Sequence, residues 1–148
     1  MSAPAKVFFS YAHADEAHRA ALEKHLRLLQ RQGLVEGWHD RMIRAGDEWA
    51  GQIDAALDAA DVILLLVSPD FLASDYCWDV EMKRALERHD AREARVIPIF
   101  LRPCDWKGAP FGRLQGLPRD ARPVTQWPDP DEAWTSVASG IRAVVGPR

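Results

Sequence analysis

The run Val62–Val67, VILLLV, constrains the fold most, because six successive apolar residues leave no polar face for water. A half-exposed strand alternates, so an unbroken apolar run of this length reads as a strand buried on both faces, as in a parallel sheet between layers of helix. Residues 68–86, SPDFLASDYCWDVEMKRAL, follow directly and change to a helical pattern. The second turn of that helix carries one carboxylate, Glu81, close to the carboxyl end of the strand, where open α/β sheets bind ligands.

The rest of the chain repeats the alternation. Strands are expected at 6–11 (KVFFSY), 34–38, 62–67, 95–101 (RVIPIFL) and 123–127, with Pro98 weakening the fourth as a central strand. Between them, a helix is expected over 15–32, with Ala21, Leu22, His25, Leu26 and Leu29 on one face and Gly33 to stop it. A second helix carries Trp49, Ile53, Ala56, Leu57 and Ala60 at 3.6-residue spacing, with Asp54 and Asp58 outside. Ser68 and Ser74 read as successive caps, and Asp129-Pro130-Asp131-Glu132 as a capping box opening a last helix that buries Trp134, Val137, Ile141 and Val144. Five such units fit a flavodoxin-like α/β sandwich, a five-stranded parallel sheet of order 2-1-3-4-5 covered on both faces, in one domain over 1–148 with its core at about 6–145. The switch point then lies between strands one and three. It gathers Phe9, Ser10 and Tyr11, the loop from His39, and the segment from Ser68 to Glu81.

Charge and cysteine usage remove several classes of function. Nineteen Lys and Arg against 22 Asp and Glu give a net charge of -3 with no basic cluster, so direct binding of nucleic acid is not expected. The longest apolar run is Val62–Val67, far short of the ~20 residues that span a bilayer. Two cysteines, Cys77 and Cys104, make neither a disulfide framework nor a metal clip, and the opening MSAPAK lacks the apolar stretch of a signal peptide. A cytoplasmic protein without membrane contact is expected. The terminal GPR allows either a free-standing protein or a domain of a longer one.

Familiar catalytic signatures are missing: there is no GxGxxG, GxxxxGK[ST], GxSxG or HExxH. His18 and His25 share a helical face without a third ligand, so no metal site is expected. Cys77 stands near a helix start, a place that lowers thiol pKa values, but no histidine neighbours it in sequence. Glu81 has two readings at this level: a carboxylate at a ligand-binding strand end, or a surface residue paired with Arg84 three positions on. Asp79 points to another face and does not form a two-carboxylate site with it. The loop 39–47 mixes Asp40, Arg41, Arg44 and Asp47 with Met42, Ile43 and Gly46. It is either a solvated connector or a contact element for a ligand or a second copy of the domain. The tryptophans, Trp38, Trp49, Trp127 and Trp134 among them, read by default as core packing.

Three ordered stretches together carry a resemblance: FFSYAHAD, then WHDRMIRAGDEWAGQIDAALDAADVILLLVSPDFLASDYCWDVEM, then RVIPIFLRPCDW. Over about 6–145 the chain resembles the Toll/interleukin-1 receptor homology (TIR) domain in its bacterial form. The resemblance implies the flavodoxin-like fold and one of two functions. Some members are adaptors that act through TIR–TIR contacts alone; others cleave the N-glycosidic bond of NAD+, releasing nicotinamide and ADP-ribose or a cyclic variant, in bacterial defence or signalling.

On the catalytic alternative, the resemblance places the catalytic carboxylate at Glu81. It also implies substrate contacts from Phe9, Ser10, Tyr11, Asp40, Arg41, Ile43, Ser74 and Cys77, and an assembly loop of Met42, Arg44, Gly46, Asp47 and Trp49. NAD+ enters as substrate and no cofactor is implied; partners are further TIR domains joined head to tail and a fused or associated sensor domain. Two departures stand out. Several NAD-cleaving members have Trp four residues before the glutamate, where this chain has Cys77, and some have a basic residue after the first-box tyrosine, where it has Ala12 and His13.

Overall fold

A computed structural model describes residues 3–39, 42–43 and 45–146. Its centre is a four-stranded, wholly parallel sheet of order β2-β1-β3-β4, built from β1 (Ala5–Ser10), β2 (Val35–Trp38), β3 (Val62–Val67) and β4 (Arg95–Phe100). β1 lies between its partners in register Ala5↔Val35 on one side and Val7↔Val62 on the other. All six residues of β3 are buried, as the unbroken apolar run requires.

Strand pleating divides the core in two. Val7, Phe9, Leu64, Leu66, Ile97 and Ile99 face one helical layer: α1 (Glu16–His25), α2 (Arg27–Arg31) and α6 (Pro130–Val145). Phe8, Ile63, Leu65, Val67, Val96 and Phe100 face the other, formed by α3 (Trp49–Ala59), α4 (Pro69–Ala73), the π-helical turn Cys77–Met82 and α5 (Lys83–Asp90). Buried Arg88 of α5 ties that second layer together, donating to the carbonyl oxygens of Leu57 at 2.8 Å and Ala60 at 2.6 Å where α3 ends.

Several caps are as the sequence reads. The Ser68 hydroxyl accepts from Phe71 N at 3.1 Å, Ser74 from Cys77 N at 3.2 Å, and the Asp129 carboxylate from Asp131 N at 2.9 Å, with Pro130 in the first helical position. Gly33, at φ +70°, follows α2 in the left-handed conformation that ends it. The expected 15–32 helix is divided, however, into a 3-10 turn (His13–Asp15), α1 and α2. The break falls at Leu26, whose φ/ψ of -92°/-1° opens the ladder while Leu22, Leu26 and Leu29 all stay buried.

The fifth strand is absent among the described residues. Residues Val124–Gln126 form a 3-10 turn, and the sheet edge is closed by Leu117, which bridges Ile99. Pro118, Pro123, Pro128 and Pro130 remove backbone donors every few residues, so no continuous ladder can form there. Gly116 permits this edge, since a Cβ on it would come within 2.3 Å of the Phe100 ring. Pro98 is accommodated because its carbonyl, and hence its missing N–H, lies on the outer side of β4, where Leu117 N donates to it at 2.9 Å. Among the described residues, no helix is long and apolar enough to cross a membrane.

Candidate functional site

At the carboxyl ends of β1 and β3 the chain opens a cleft of about 470 Å³, within the ~300–1,000 Å³ typical of small-molecule sites. Its walls come from the segment after β1 (Tyr11, His13), the start of α3 (Trp49), α4 (Asp70) and the 74–81 segment (Ser74, Tyr76, Cys77, Glu81). Other clefts exist, including a groove of about 530 Å³ beside β2 and α3 and one of about 570 Å³ along α6. Neither is lined by a buried ionisable side chain; this one contains Glu81, only 5% exposed.

Glu81 is aimed by two local features. The first is the π-helical turn Cys77–Met82, in which i→i+5 bonding accommodates an extra residue and shifts the register of the side chains. The second is Ser10, at the end of β1 on the opposite pleat from Phe9, whose hydroxyl donates to the Glu81 carboxylate at 2.7 Å in a buried contact. Arg84 takes no part: it binds Asp58 at 2.7 Å and Glu87 at 3.3 Å, and Asp79 sits exposed near Lys83. The surface-pair reading of Glu81 is therefore corrected.

Cys77 lies against the same carboxylate. Burial first, and the Glu81 charge second, push its thiol up to about 12, the reverse of the lowered value that a helix start favours. Cys77 is thus a neutral thiol at physiological pH. Its raised pKa adds stability that is fully present below the unfolded value near 9 and is lost as pH rises from there through about 12. Thiol titration at pH 8 with a disulfide reagent should label half-buried Cys104 in the folded protein and Cys77 only after unfolding. Equal rates for the two would contradict this account.

Behind the cleft, the ends of three strands are pinned by a buried ion pair. Asp15, 1% exposed, accepts from the Ser68 hydroxyl and pairs with Arg102 at 3.0 Å, and Arg102 reaches on to Asp70 at 2.5 Å. Tyr11 is held by the Arg19 guanidinium, 5.9 Å from its ring centre, itself forked between Glu16 and Glu23 at 2.8 Å each.

The residues singled out from sequence separate clearly. Ser10, Tyr11, Ser74, Cys77 and Glu81 converge on the cleft. Phe9 does not: it is buried among Val7, Leu64 and the α1 and α6 side chains, on the far face of the sheet. Ile43 is half-buried against the α3 side of the core, while Met42, Gly46 and Asp47 are exposed. Asp40, Arg41 and Arg44 lie outside the described residues. Trp49, by default a core residue and by resemblance part of the assembly loop, is not in the core: it is 48% exposed and forms part of the cleft wall. Sequence reasoning missed Tyr76, His13 and Asp70. Tyr76 had a signal, being an aromatic residue one position before the anomalous Cys77. Among the described residues no three His, Cys, Asp or Glu side chains converge to hold a metal ion.

A family model described as TIR domain matches residues 7–134. The chain is 59% identical over 140 residues to y4lF, an uncharacterized protein of Sinorhizobium fredii; the match covers 95% of this chain and 43% of that one, so the chain spans under half of its relative's length. Among solved structures it resembles the TIR domain of the Toll-related receptor TRR-2 from Hydra magnipapillata, with a TM-score of 0.62 at 22% identity over 92% of this chain and 97% of that one. It also resembles the TIR domains of the activated Roq1 resistosome, which recognizes the pathogen effector XopQ. There the TM-score is 0.53 at 19% identity, over 66% of this chain and 57% of that one. At these identities both structures support the fold.

Proposed function

The chain belongs to the TIR domain family, and from that premise we propose that its cleft hydrolyses the N-glycosidic bond between nicotinamide and ribose in NAD+, with Glu81 as the catalytic carboxylate. The observation that carries this reading is the Ser10–Glu81 contact: a buried carboxylate held by a hydroxyl, at a strand end, in a ligand-sized cleft.

The reaction suits a single carboxylate. Nicotinamide leaves as a neutral base because the C1′–N electron pair returns to the ring nitrogen and cancels its positive charge, so no general acid is needed. What remains is an oxocarbenium-like ribose, which an ionised Glu81 stabilises by charge and through the ribose hydroxyls. Water then adds at C1′ and gives up a proton, so NAD+ and water yield nicotinamide, ADP-ribose and a proton. A cyclic product results if an internal nucleophile replaces the water. Ser10 orients the carboxylate, Cys77 stays neutral beside it, and Ser74 and Tyr11 line the approach.

Self-association belongs to the proposal. TIR domains joined head to tail form an open heterologous array, and the 39–47 loop, with Met42 half-exposed, is the element offered to a neighbour. Activity then rises when an attached or associated sensor concentrates the domains inside the cell, in defence or signalling. The alternative is a purely interacting module that uses the same loop, and Met42 beside the apolar groove of Ala55 and Ala59 is the observation in its favour.

One assay separates the two. NAD+ loss and nicotinamide release are followed with the protein concentrated on a surface, wild type beside Glu81→Ala. Release that depends on Glu81 supports the enzyme; equal loss in both proteins would sink the assignment of Glu81; assembly without any loss would favour the module.

A further inference from the structure

Trp49 is the one exposed tryptophan among the described residues, and it belongs to neither half of the core. As the first residue of α3 it leans on Tyr76, with ring centres 4.7 Å apart and planes tilted by 49°. Both rings line the Glu81 cleft. Trp78, which follows the anomalous Cys77, turns away and lines a separate depression with Asp75 and Asp105. The cleft therefore has an aromatic wall, but one assembled from two segments that sequence spacing does not join.

We propose that Trp49 and Tyr76 form the platform on which the cationic pyridinium ring of NAD+ stacks. The proposal rests on the reading of the cleft as an NAD+-cleaving site. An indole face is the strongest of the aromatic side chains for holding a cation, and the attraction grows where water is excluded. Tyr76 packs against the indole, so that less side-chain freedom is lost on binding.

The charge on the ring gives this contact a kinetic signature. As the C1′–N bond breaks, the electron pair moves onto the nitrogen and the ring becomes neutral, so the cation–π attraction is strongest before the reaction and fades toward the transition state. Such a contact favours the bound substrate over the transition state, so its removal weakens binding without slowing the chemical step, and it holds the departing nicotinamide less firmly.

The test uses the full chain concentrated on a surface, with Trp49→Ala and Trp49→Phe beside wild type, each first shown to unfold at the wild-type temperature. For Trp49→Ala, KM for NAD+ should rise about 5- to 20-fold while kcat stays level or rises, so that kcat/KM falls by less than KM rises, and Trp49→Phe should recover part of the loss. Binding is read separately by ligand-observed NMR, using 1-methylnicotinamide, a permanent pyridinium that cannot be cleaved, against neutral nicotinamide. Wild type should prefer the cation, and Trp49→Ala should erase the preference. Equal binding of the cation to wild type and Trp49→Ala, or a fall in kcat at unchanged KM, would overturn the platform. Trp49-dependent binding of 1-methylnicotinamide by a protein that releases no nicotinamide from NAD+ would leave the platform standing and remove the cleavage reading instead.

Discussion

Glu81→Gln should lower nicotinamide release by about 10²–10³-fold while leaving the fold as stable as wild type or more stable by about 1 kcal/mol. The amide keeps the shape of the side chain and can still accept from the Ser10 hydroxyl, so the contact between β1 and the π-helical turn survives. What it loses is the charge. On the proposed mechanism, a charge in a site that is 5% exposed costs desolvation in the resting protein and is recovered only when positive charge develops on the ribose. A residue that lowers stability and raises rate is the expected form of an activity trade-off. Nicotinamide release and thermal unfolding on the same preparations decide the matter. Activity within tenfold of wild type would remove Glu81 from the chemistry, and an inactive variant with a clearly lowered midpoint would mark it as structural.

Asp15→Ala should be the most damaging of these changes to the fold, costing about 3 kcal/mol and lowering the unfolding midpoint by roughly 6–12 °C. Asp15 is 1% exposed and holds two partners, the Ser68 hydroxyl and Arg102. Ser68 in turn caps α4, so the loss spreads from the 3-10 turn to the helix that brings Asp70 to the cleft. Arg102 is not stranded, because it is 30% exposed and keeps Asp70, which places the cost at the low end of that for a broken buried pair. Asp15→Asn should cost about half as much, since an amide oxygen can still receive the Ser68 hydroxyl. Denaturant titration of the three proteins checks the order, and a cost below about 1 kcal/mol for alanine would show that the pair behaves as a solvated one.

The sheet was legible because its evidence is local. An unbroken apolar run cannot be satisfied outside a doubly covered parallel sheet, and from β3 the neighbouring strands and the order 2-1-3-4 follow by connection. The supposed fifth strand failed because Val124 and Trp127 have strand-like side chains while the flanking prolines withhold strand-forming donors; residue preference and backbone capacity pointed in different directions. Phe9 could have been set aside from parity alone. If Ser10 faces Glu81, the preceding residue must face the other layer. Trp49 fitted the helical stripe of Ile53 and Leu57 but stands at its first turn, where the stripe has run past the edge of the sheet. The carboxylate beside Cys77 was legible, since Glu81 stands four residues on along a helix, but the burial that raises the thiol pKa is a property of the fold and leaves no mark on spacing. The position of Glu81 was legible, but its direction was not.

That direction depends on a helix that holds one residue more than a regular ladder would. A single-codon deletion at 78, 79 or 80 would restore the i→i+4 pattern and bring the glutamate from four to three residues beyond Cys77. The carboxylate would stay on the same face as Tyr76 and Cys77, but its direction toward the Ser10 hydroxyl would change. The helix would gain regularity while the Ser10–Glu81 contact loses its present geometry, so a small indel would separate the presence of the glutamate from the contact that aims it. Surveys of related genes that score only the presence of the glutamate would not register the difference.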